Sequence, residues 1–496
     1  MNSNSQDTKP TPIVSVVIPA YNMEAFIAET LDSVLASDYP NFEVVVVDDG
    51  SSDNSYAIAQ GYAKRDKRVR VLRKENGGVS SARNMAISQA RGELILPVDS
   101  DNIIEPTLIS KAVKLLTSSS DIKVVVPTSD FFGEKTGIWR LPPFNLNLLA
   151  RKNIMDNCAL YRKSEWQRVG GYCEQIVTRE DWAFWISLLK DGGRVEILPE
   201  ILHHYRTRST SKRVTNRDKK FLVIDKLNNL HPEFFERELH GPLRHNRSWS
   251  KLLNTLHRIT HPRKVRVADD FSRLTDEARA LPAYFRFDCG KVIHEGRNQL
   301  RELQWKDMLV VAKSFQTPNI VNRIAYGLLR SSKAQRSFEY ASILRKAGIG
   351  SPTPVAYYTE RAGLLFSQSY YVSLKSECHH TYADLIRGDY PNQEPILREI
   401  ARTAAKMHSA GMIHKDFSQG NILFRETGTR VEVEIVDLNR IHFQQVDMEA
   451  GCRNFERLPA NDAMIRIMAD EYARHRSFNT GECFRLMRKY NKGLSI

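Results

Sequence analysis

Apolar runs alternate with helically spaced segments through the first hundred residues. Continuous or nearly continuous apolar runs predict strands at 13–19, 42–48, 69–72 and 94–98. The spacing of apolar residues between these runs predicts helices at 25–35, 56–64 and 79–89. Strands that alternate with helices of this length form a parallel sheet with right-handed crossovers. The sequence therefore predicts a domain of the α/β class, with ligands at the carboxyl ends of its strands.

The pattern changes twice further along the chain. After Tyr205 the sequence is basic and favours helices, with prolines as breaks. Beyond about residue 284, β-like stretches at 285–289 and 308–315 precede a predicted helix at 333–347 and a loop-and-strand region at 414–443. We predict four parts: a polar tail at 1–12, an α/β domain at 13–210, a basic helical connector at 211–283 and a mixed domain at 284–496.

Composition narrows the class of protein. Of the 496 residues, 42% are hydrophobic and 26% are charged, as in ordinary globular proteins. No run approaches the ~20 apolar residues of a membrane-spanning helix, and the start of the chain lacks the apolar segment of a secretion signal. The six cysteines form no C-x-x-C pair, which argues against a structural zinc site or a disulfide framework. We therefore predict a cytoplasmic protein.

Positive charge is concentrated in one segment. The net charge is +14, and residues 203–264 contain 15 Lys/Arg against 5 Asp/Glu together with half of the 14 histidines. One interpretation is a solvated connector. The other is a surface that meets a polyanion, such as the anionic face of the inner membrane or a phosphorylated glycolipid. The segment resembles no base-reading module, so nucleic acid is not a predicted partner.

Two acidic clusters follow predicted strands. Asp48 and Asp49 end the run at 42–48, and Asp99 and Asp101 follow the run at 94–98. Carboxylates at neighbouring strand ends converge on one crevice, where they require a cation or hydrogen-bond donors. A hard divalent ion with coordination positions open to a diphosphate satisfies this requirement. Asp48 and Asp49 also fit ordinary turn chemistry.

The motifs in this part resemble family 2 glycosyltransferases. Four segments occur in the family's order: Ile18–Asn22, Val47–Ser51, Asn76–Asn84 and Asp99–Asp101. The resemblance covers about 13–206. It implies a GT-A fold, which is Rossmann-like with a mostly parallel sheet, and a sugar transfer that inverts anomeric configuration.

That resemblance also implies roles for individual residues. The nucleotide sugar would be bound by Tyr21, Asp48, Asp49, Arg83 and Asp99. Asp101, with Asp99, would hold Mg²⁺ or Mn²⁺ on the diphosphate, which stabilises the departing nucleotide. Arg179–Trp182 resembles the family's later acidic motif, so Asp181 would act as the catalytic base toward an acceptor hydroxyl.

A second constellation lies near the carboxyl end of the chain. His414, Asp416 and Asn421 have the spacing H-x-D-x-x-x-x-N, and an apolar run delivers Asp437 shortly afterwards. In phosphoryl transfer, one carboxylate orients the acceptor hydroxyl while an amide and a second carboxylate hold Mg²⁺ against ATP. The pattern matches the protein-kinase catalytic loop, with Asp416 as base and Asn421 and Asp437 as metal ligands.

Further kinase features are present only in part. Lys313, in the run at 308–315, resembles the phosphate-binding lysine, and Glu339 is its predicted ion-pair partner; both would bind ATP. The residues that follow Asp437 are Leu438 and Asn439 rather than the Phe-Gly of protein kinases, and neither an A-P-E segment nor a glycine-rich G-x-G-x-x-G loop occurs. These departures argue against an ordinary, regulated protein kinase.

The segment at 285–443 resembles lipopolysaccharide core kinases through Ala347–Ile349, Thr353–Pro354 and the catalytic-loop sequence. This family has a protein-kinase-like α+β fold and phosphorylates heptose or 3-deoxy-D-manno-octulosonic acid (Kdo). The chain is thus predicted to be a bifunctional cell-envelope enzyme, which uses a nucleotide sugar, ATP and a lipopolysaccharide inner-core acceptor. The alternative is a capsule or exopolysaccharide glycosyltransferase whose kinase-like part is a glycan-binding pseudokinase.

Overall fold

The computed structural model describes residues 13–208, 220–328, 330–387, 390, 393–428, 430–491 and 493. The predicted tail at 1–12 and the start of the predicted connector, 211–219, lie outside the described residues. The chain divides into two compact units, Met1–Asn254 and Thr255–Ile496. Among the described residues, no helix combines the length and the apolar character needed to cross a bilayer.

The first unit contains a sheet flanked by helices. Its strands are β1 Val14–Ala20, β2 Phe42–Asp48, β3 Val69–Arg73, β4 Leu94–Pro97, β5 Ile103–Ile104, β6 Ile122–Gly133, β7 Gly137–Trp139, β8 Leu160–Arg162 and β9 Arg194–Thr207. Its helices are α1 Ile27–Leu35, α2 Ser55–Arg65, α3 Val79–Gln89, α4 Leu108–Thr117, α5 Leu146–Leu149, α6 Lys163–Val169, α7 Glu180–Leu189, α8 Lys220–Leu230, α9 Pro232–Leu239 and α10 Ser250–Thr260, which continues into the second unit.

Burial on both faces explains the apolar runs. All seven residues of β1 and of β2 are buried. Because successive side chains of a strand point to opposite faces, Val45 and Val47 join one core cluster while Val44 and Val46 join another. Helices cover each cluster, which is the arrangement expected of a parallel sheet.

The sheet has the strand order β3-β2-β1-β4-β8-β6-β9-β5 within the described residues, and β7 pairs with β6. Strands β3, β2, β1 and β4 are parallel, as predicted. Beyond β4 the sheet is mixed, because β8 runs antiparallel to both β4 and β6. The first unit is therefore a GT-A-like curled mixed sheet, which confirms the predicted fold class; beyond its four parallel strands, only β6 and β9 pair in parallel within the described residues.

The second unit has an antiparallel sheet and a largely helical part. Its strands are β10 Arg263–Val267, β11 Lys291–Glu295, β12 Gln299–Trp305, β13 Met308–Phe315, β14 Pro354–Ala362, β15 Leu365–Leu374, β16 His380–Thr381, β17 Met412–His414, β18 Ile422–Thr427, β19 Arg430–Ile435 and β20 Ile441–Phe443. Its further helices are α11 Thr275–Arg279, α12 Leu281–Arg286, α13 Ile320–Leu328, α14 Lys333–Lys346, α15 Tyr382–Arg387, α16 Gln393–Ser409, α17 Met448–Arg453, α18 Asp462–Arg476 and α19 Thr480–Tyr490.

The six-stranded sheet of the described second unit has the order β10-β14-β15-β13-β12-β11. Helix α14 packs on this sheet, whereas the following helices α16 and α18 enclose a separate apolar core. The catalytic-loop segment connects β17 to β18 beside that core. This mixed α+β arrangement agrees with the predicted kinase-like fold.

Two predicted elements differ in the structure. Residues 285–289 were predicted to be β-like, but Phe285 and Arg286 end α12 and Cys289 donates to the carbonyl of Tyr284. Pro282 in the first turn favours this helix, and that signal outweighs the alternating apolar pattern after it. Within the predicted helical connector, Arg263–Val267 forms β10, because its alternate residues pair with β14 at the sheet edge.

Candidate active sites

A cavity of about 480 Å³ lies at the carboxyl ends of the parallel strands in the first unit. Six of the seven residues predicted for the glycosyltransferase site line this cavity: Tyr21, Asp49, Arg83, Asp99, Asp101 and Asp181. Residues from β1, β2, β4 and α7 therefore converge as the strand topology predicts. Asp48 is the exception, since it is buried and does not line the cavity.

Asp48 and Asp49 serve different purposes. One oxygen of Asp48 lies 3.1 Å from Nε of Arg73, and the other, buried, has no hydrogen-bond partner among the described residues. Asp49 accepts from Lys74 Nζ at 3.0 Å and from the backbone amides of Gly77 and Gly78 at 2.9 and 2.8 Å. It thus fixes the loop that starts α3, and it is the carboxylate of the two that reaches the cavity.

Arg83 contacts carboxylates from two separate segments of the site. Its buried guanidinium donates to Asp99 at 2.7 Å and to Glu180 at 2.8 Å. Although burial opposes the charged form, these two carboxylates raise the pKa of Arg83 further above its already high value. Arg83 therefore remains a cation that links the end of β4 to the start of α7.

Asp99 and Asp101 form a carboxylate pair on the cavity wall. Asp101 accepts from Arg208 at 2.5 Å. Burial raises the pKa of Asp101, the Asp99 charge raises it further, and Arg208 opposes both effects. The repulsion from Asp99 that raises this pKa is one that a nearby cation would relieve. No group of three His, Cys, Asp or Glu side chains suited to a metal ion occurs in the described parts of the chain.

Asp181 lies in the first turn of α7. It accepts from Asn153 Nδ2 at 2.6 Å and from the backbone amide of Trp182 at 2.8 Å. Burial, reinforced by the Glu180 charge, raises the pKa of Asp181 to about 7, although Arg83 lowers it in part. A carboxylate with a pKa in this range is matched to proton transfer near neutral pH.

Several cavity residues escaped the sequence analysis. Trp139 stacks on Phe131 at 5.6 Å, and Tyr205 meets the Trp139 ring edge-on at 5.9 Å. Lys152 and Arg247 also line the cavity. Trp139 lies on β7, which forms a short hairpin with β6, and Tyr205 lies on β9, whose pairing with β6 joins residues far apart in the chain. Neither residue belongs to a motif that the sequence analysis used. The basic segment at 203–264 was the available signal for Arg247.

In the second unit, the predicted catalytic loop is held by its histidine. His414 Nδ1 accepts the backbone amide of Asp416 at 3.1 Å, and its Nε2 lies 3.2 Å from the carbonyl of Asp437. The first bond requires the tautomer in which Nε2 carries the proton. Burial lowers the pKa of His414 despite the nearby carboxylates, so the ring stays neutral and joins the two acidic positions.

The predicted metal ligands lie on neighbouring backbone segments. Asn421 Nδ2 donates to the carbonyl of Asp416 at 2.9 Å, and the Asn421 carbonyl accepts the amide of Val436 at 3.0 Å. Asp437, which follows Val436, has a left-handed backbone with φ of 56°. Such strain at a non-glycine residue is typical of functional sites. The structure thus brings Asp416, Asn421 and Asp437 together.

The predicted pairing of Lys313 with Glu339 is not formed. Lys313 Nζ lies 2.6 Å from Oδ1 of Asp437 on the facing loop. Glu339 instead accepts from Gln335 Nε2 at 2.8 Å, one turn earlier on the same helix. The correction has a simple cause: the Asp437 carboxylate competes for the same cation, while a helix offers Glu339 a local partner at i−4.

Arginines surround the second site. Arg457 and Arg440 bind the two carboxylate oxygens of Asp416, the latter at 3.2 Å. The hairpin of β11 and β12 turns at 296–298, without the glycine-rich motif of protein kinases. The charge of Arg297 in this turn contributes to lowering the pKa of Lys333, after burial.

Two family models match the chain in the predicted order. The glycosyl transferase family 2 model matches residues 15–173, and the lipopolysaccharide kinase (Kdo/WaaP) family model matches residues 300–490. The chain belongs to glycosyltransferase family 2, and its second unit carries the Kdo/WaaP kinase match. Both resemblances drawn from the motifs are confirmed at this level.

Individual relatives cover only parts of the chain. A putative teichuronic acid biosynthesis glycosyltransferase, TuaG of Bacillus subtilis, is 32% identical over 39% of this chain and 79% of its own length. The uncharacterized glycosyltransferase EpsJ of Bacillus subtilis is 31% identical over 40% of this chain. The chain spans 62% of EpsJ, less than two thirds. A structure of WaaP in complex with acyl carrier protein matches with 16% identity and a TM-score of 0.33, covering 46% of this chain and 98% of that one.

Proposed function

We propose that the first unit transfers a sugar from a nucleotide sugar to a glycan hydroxyl, with inversion of configuration. The observation that carries this proposal is the single cavity in which Asp99 and Asp101 occur together with Asp181, a carboxyl whose pKa is raised into the neutral range. Tyr21, Asp49 and Arg83 line the same cavity and would bind the nucleotide part of the donor.

A divalent metal ion suits the carboxylate pair. Asp99 and Asp101 offer the oxygen ligands that Mg²⁺ and Mn²⁺ prefer, and their mutual repulsion is the electrostatic cost that a cation would remove. When bound, such an ion stabilises the negative charge that develops on the departing nucleoside diphosphate. Arg208, which contacts Asp101 here, lies where it could bind a phosphate oxygen as well.

Asp181 would act on the acceptor. In its charged form it accepts the proton of an acceptor hydroxyl as that oxygen attacks the sugar carbon from the face opposite the leaving group. The amide of Asn153 keeps the carboxylate oriented while the bond forms. Since attack and departure occur on opposite faces, the product has the inverted configuration.

We propose that the second unit phosphorylates a sugar of the lipopolysaccharide inner core, either Kdo or heptose. Asp416 would orient the acceptor hydroxyl, Lys313 would bind ATP phosphates, and Asn421 with Asp437 would hold Mg²⁺. The hydrogen bond from the Val436 amide to the Asn421 carbonyl supports this arrangement. The contacts of His414 with the backbone of Asp416 and of Asp437 support it as well. Arg297 and Lys333 would add positive charge for the triphosphate.

One observation favours a second candidate function for this unit. Both carboxylate oxygens of Asp416 are bound by arginines, which would compete with an acceptor hydroxyl. A unit held in this state would bind an anionic glycan without transferring phosphate. The protein would then be a capsule or exopolysaccharide glycosyltransferase with a recognition module.

Mass spectrometry of the products tests both proposals at once. Purified protein is incubated with lipopolysaccharide core acceptors, ATP and a panel of nucleotide sugars. A gain of one sugar supports the first proposal, and a gain of one phosphate supports the second. Sugar addition without phosphate, in wild type and Asp416→Ala alike, would favour the recognition module.

We also propose that the protein binds the cytoplasmic face of the inner membrane peripherally. Helix α10 exposes Leu252, Leu256 and Ile259, with exposed fractions of 49%, 51% and 71%, within the basic segment. Apolar side chains beside Lys and Arg suit an anionic lipid surface. Sedimentation with phosphatidylglycerol vesicles should decrease as salt increases, and salt-independent sedimentation would contradict the electrostatic contribution.

A further inference from the structure

Positive charge gathers around the proposed catalytic base. Lys152 precedes Asn153, the residue that donates to Asp181, and Arg179 directly precedes α7. The Arg247 guanidinium lies 5.7 Å from the ring of Trp182, which follows Asp181. All three cations line the cavity that Asp181 also lines.

Every cavity carboxylate except Asp181 has an ion-pair partner among the described residues, although Asp99 and Glu180 share Arg83, and Asp156 pairs with His203. Asp49 accepts from Lys74, Asp99 and Glu180 accept from Arg83, and Asp101 accepts from Arg208. Lys152 and Arg247 take part in none of the ion pairs between described residues, and the pKa of Asp181 is raised rather than lowered. These two cations therefore do not neutralise the base.

The geometry keeps the arginines close to each other despite their equal charge. Burial lowers the pKa of Arg247, and the charge of Arg179 lowers it further. Arg179 also has a left-handed backbone with φ of 60°. Backbone strain of this kind clusters at functional sites.

An aromatic wall borders the same cavity. Trp139 and Tyr205, packed against Phe131, present ring surfaces of the kind on which a pyranose ring stacks. A neutral sugar would need only such a surface and hydrogen-bond donors. Clustered cations in addition indicate a ligand with negative charge.

We propose that the acceptor sugar carries a carboxylate or phosphate group, and that Lys152, Arg179 and Arg247 bind this group while Asp181 accepts the proton of the reacting hydroxyl. The proposal rests on the proposed glycosyltransferase function and names its acceptor class. Both groups share the chemistry of a planar or tetrahedral oxyanion, which guanidinium recognises through paired hydrogen bonds.

Matched acceptors test the proposal. Deacylated lipopolysaccharide core oligosaccharide is used intact, after removal of phosphate with hydrogen fluoride, after reduction of its carboxyl groups, and after both treatments. Oxidation of Trp139 by hydroxyl radicals, measured by mass spectrometry on the full chain, reports occupancy of this cavity without reporting the second unit. The oligosaccharide concentration that halves the oxidation gives the apparent Kd.

Four proteins complete the design: the variants Arg247→Gln, Lys152→Gln and Arg91→Gln, and wild type. Arg91 is the control, since its side chain is 70% exposed and lies outside the cavity lining. We expect about tenfold weaker protection in each of the first two variants, as the loss of one charge-assisted contact predicts, and no change in Arg91→Gln. Equal unfolding temperatures of the four proteins establish that the variants are folded.

The treated acceptors identify the group. A loss after phosphate removal alone identifies a phosphate, and a loss after carboxyl reduction alone identifies a carboxylate. Equal protection by all four oligosaccharides, protection by none, or identical behaviour of Arg247→Gln and Arg91→Gln would overturn the proposal. Sugar transfer is assayed separately: transfer with charge-independent binding refutes only this inference, whereas charge-dependent binding without transfer from any donor refutes the proposed function.

Discussion

The proposed role of Asp181 as the catalytic base depends on pH. Only its charged form can accept the acceptor proton, and its pKa is raised to about 7 by burial and Glu180. We therefore expect kcat/KM for the acceptor to rise about tenfold per pH unit below 7 and to level off above it. Initial rates between pH 5 and 9, at saturating metal, measure this dependence.

The matched variant is Asp181→Asn, which keeps the size and one acceptor oxygen. It should lose a factor of 10² to 10⁴ in rate, as expected for removal of a general base, and its residual rate should not follow the same profile. A wild-type profile that turns near pH 4 would contradict the raised pKa.

The same substitution has a consequence for stability. The folded-state pKa of Asp181 lies above its ordinary value of 3.8, so this carboxyl stabilises the fold at low pH and that contribution is lost as the pH rises through about 7. At pH 8, Asp181→Asn should therefore be more stable than wild type, by ~1–4 kcal/mol, because each pKa unit corresponds to about 1.4 kcal/mol.

Chemical denaturation at pH 8, 6 and 4 measures this effect. The advantage of Asp181→Asn should shrink steadily toward pH 4, where the carboxyl is neutral in the folded state and the pH is close to its ordinary pKa of 3.8. Asp121→Asn is the control, because the Asp121 side chain is 57% exposed and its pKa is lowered rather than raised, mainly by a hydrogen bond from Ser119. Equal stability of Asp181→Asn and wild type at pH 8 would show that burial costs this carboxylate little.

At the scale of elements, the contact between β13 and the loop after β19 predicts that Lys313 matters more than Glu339 for ATP turnover. Lys313 binds Asp437, whereas Glu339 on α14 binds only its own helix in the contacts described. Lys313→Met should therefore reduce ATP turnover by about 10² or more. Glu339→Gln should reduce it less than tenfold, because the described contact of Glu339 is with Gln335 on its own helix. ATP hydrolysis and phosphate transfer to core oligosaccharide provide the measurement.

Gln335→Ala is the control for this comparison, because it removes the partner of Glu339 without touching Lys313. If Glu339→Gln proved as damaging as Lys313→Met, the lysine would have to exchange Asp437 for Glu339 during turnover. That result would assign the observed Lys313–Asp437 contact to a resting state.

Local patterns predicted the elements that local forces determine. The predicted bounds of β2, α3 and β13 agree with the structure, because two-sided burial and helical spacing are visible within a few residues. The pairing of β8 between β4 and β6, and the edge position of β10, depend on residues far apart in the chain. Sequence spacing does not encode such pairing, so these features were missed.

The site residues show the same difference between what local sequence determines and what non-local packing determines. Asp49, Asp99 and Asp101 were predicted to meet because strand ends of a parallel sheet are neighbours, and they line one cavity. Lys152 lies in a loop and Arg247 begins a short 3-10 helix, both without a motif, so only three-dimensional packing brings them to the cavity. The predicted partner of Lys313 was wrong because spacing identifies candidate charges but does not decide which carboxylate is nearer.

For the whole molecule, two units with separate cores and separate acidic clusters would allow the two proposed activities to be lost independently. The apolar clusters around the first site consist of residues before 254, and those around the second consist of residues after 255. If both activities act on one glycolipid, the fusion raises the local concentration of the second acceptor.

Asp101→Asn and Asp416→Ala in the full chain test this independence. The first should abolish sugar transfer, because it removes a proposed metal ligand, and leave ATP turnover within about twofold of wild type; the second should do the reverse. Both activities are measured on the same preparation, with equal unfolding temperatures as the criterion of folding. If Asp101→Asn also reduced ATP turnover by tenfold or more, the two sites would be energetically coupled, and phosphorylation would depend on the state of the glycosyltransferase site.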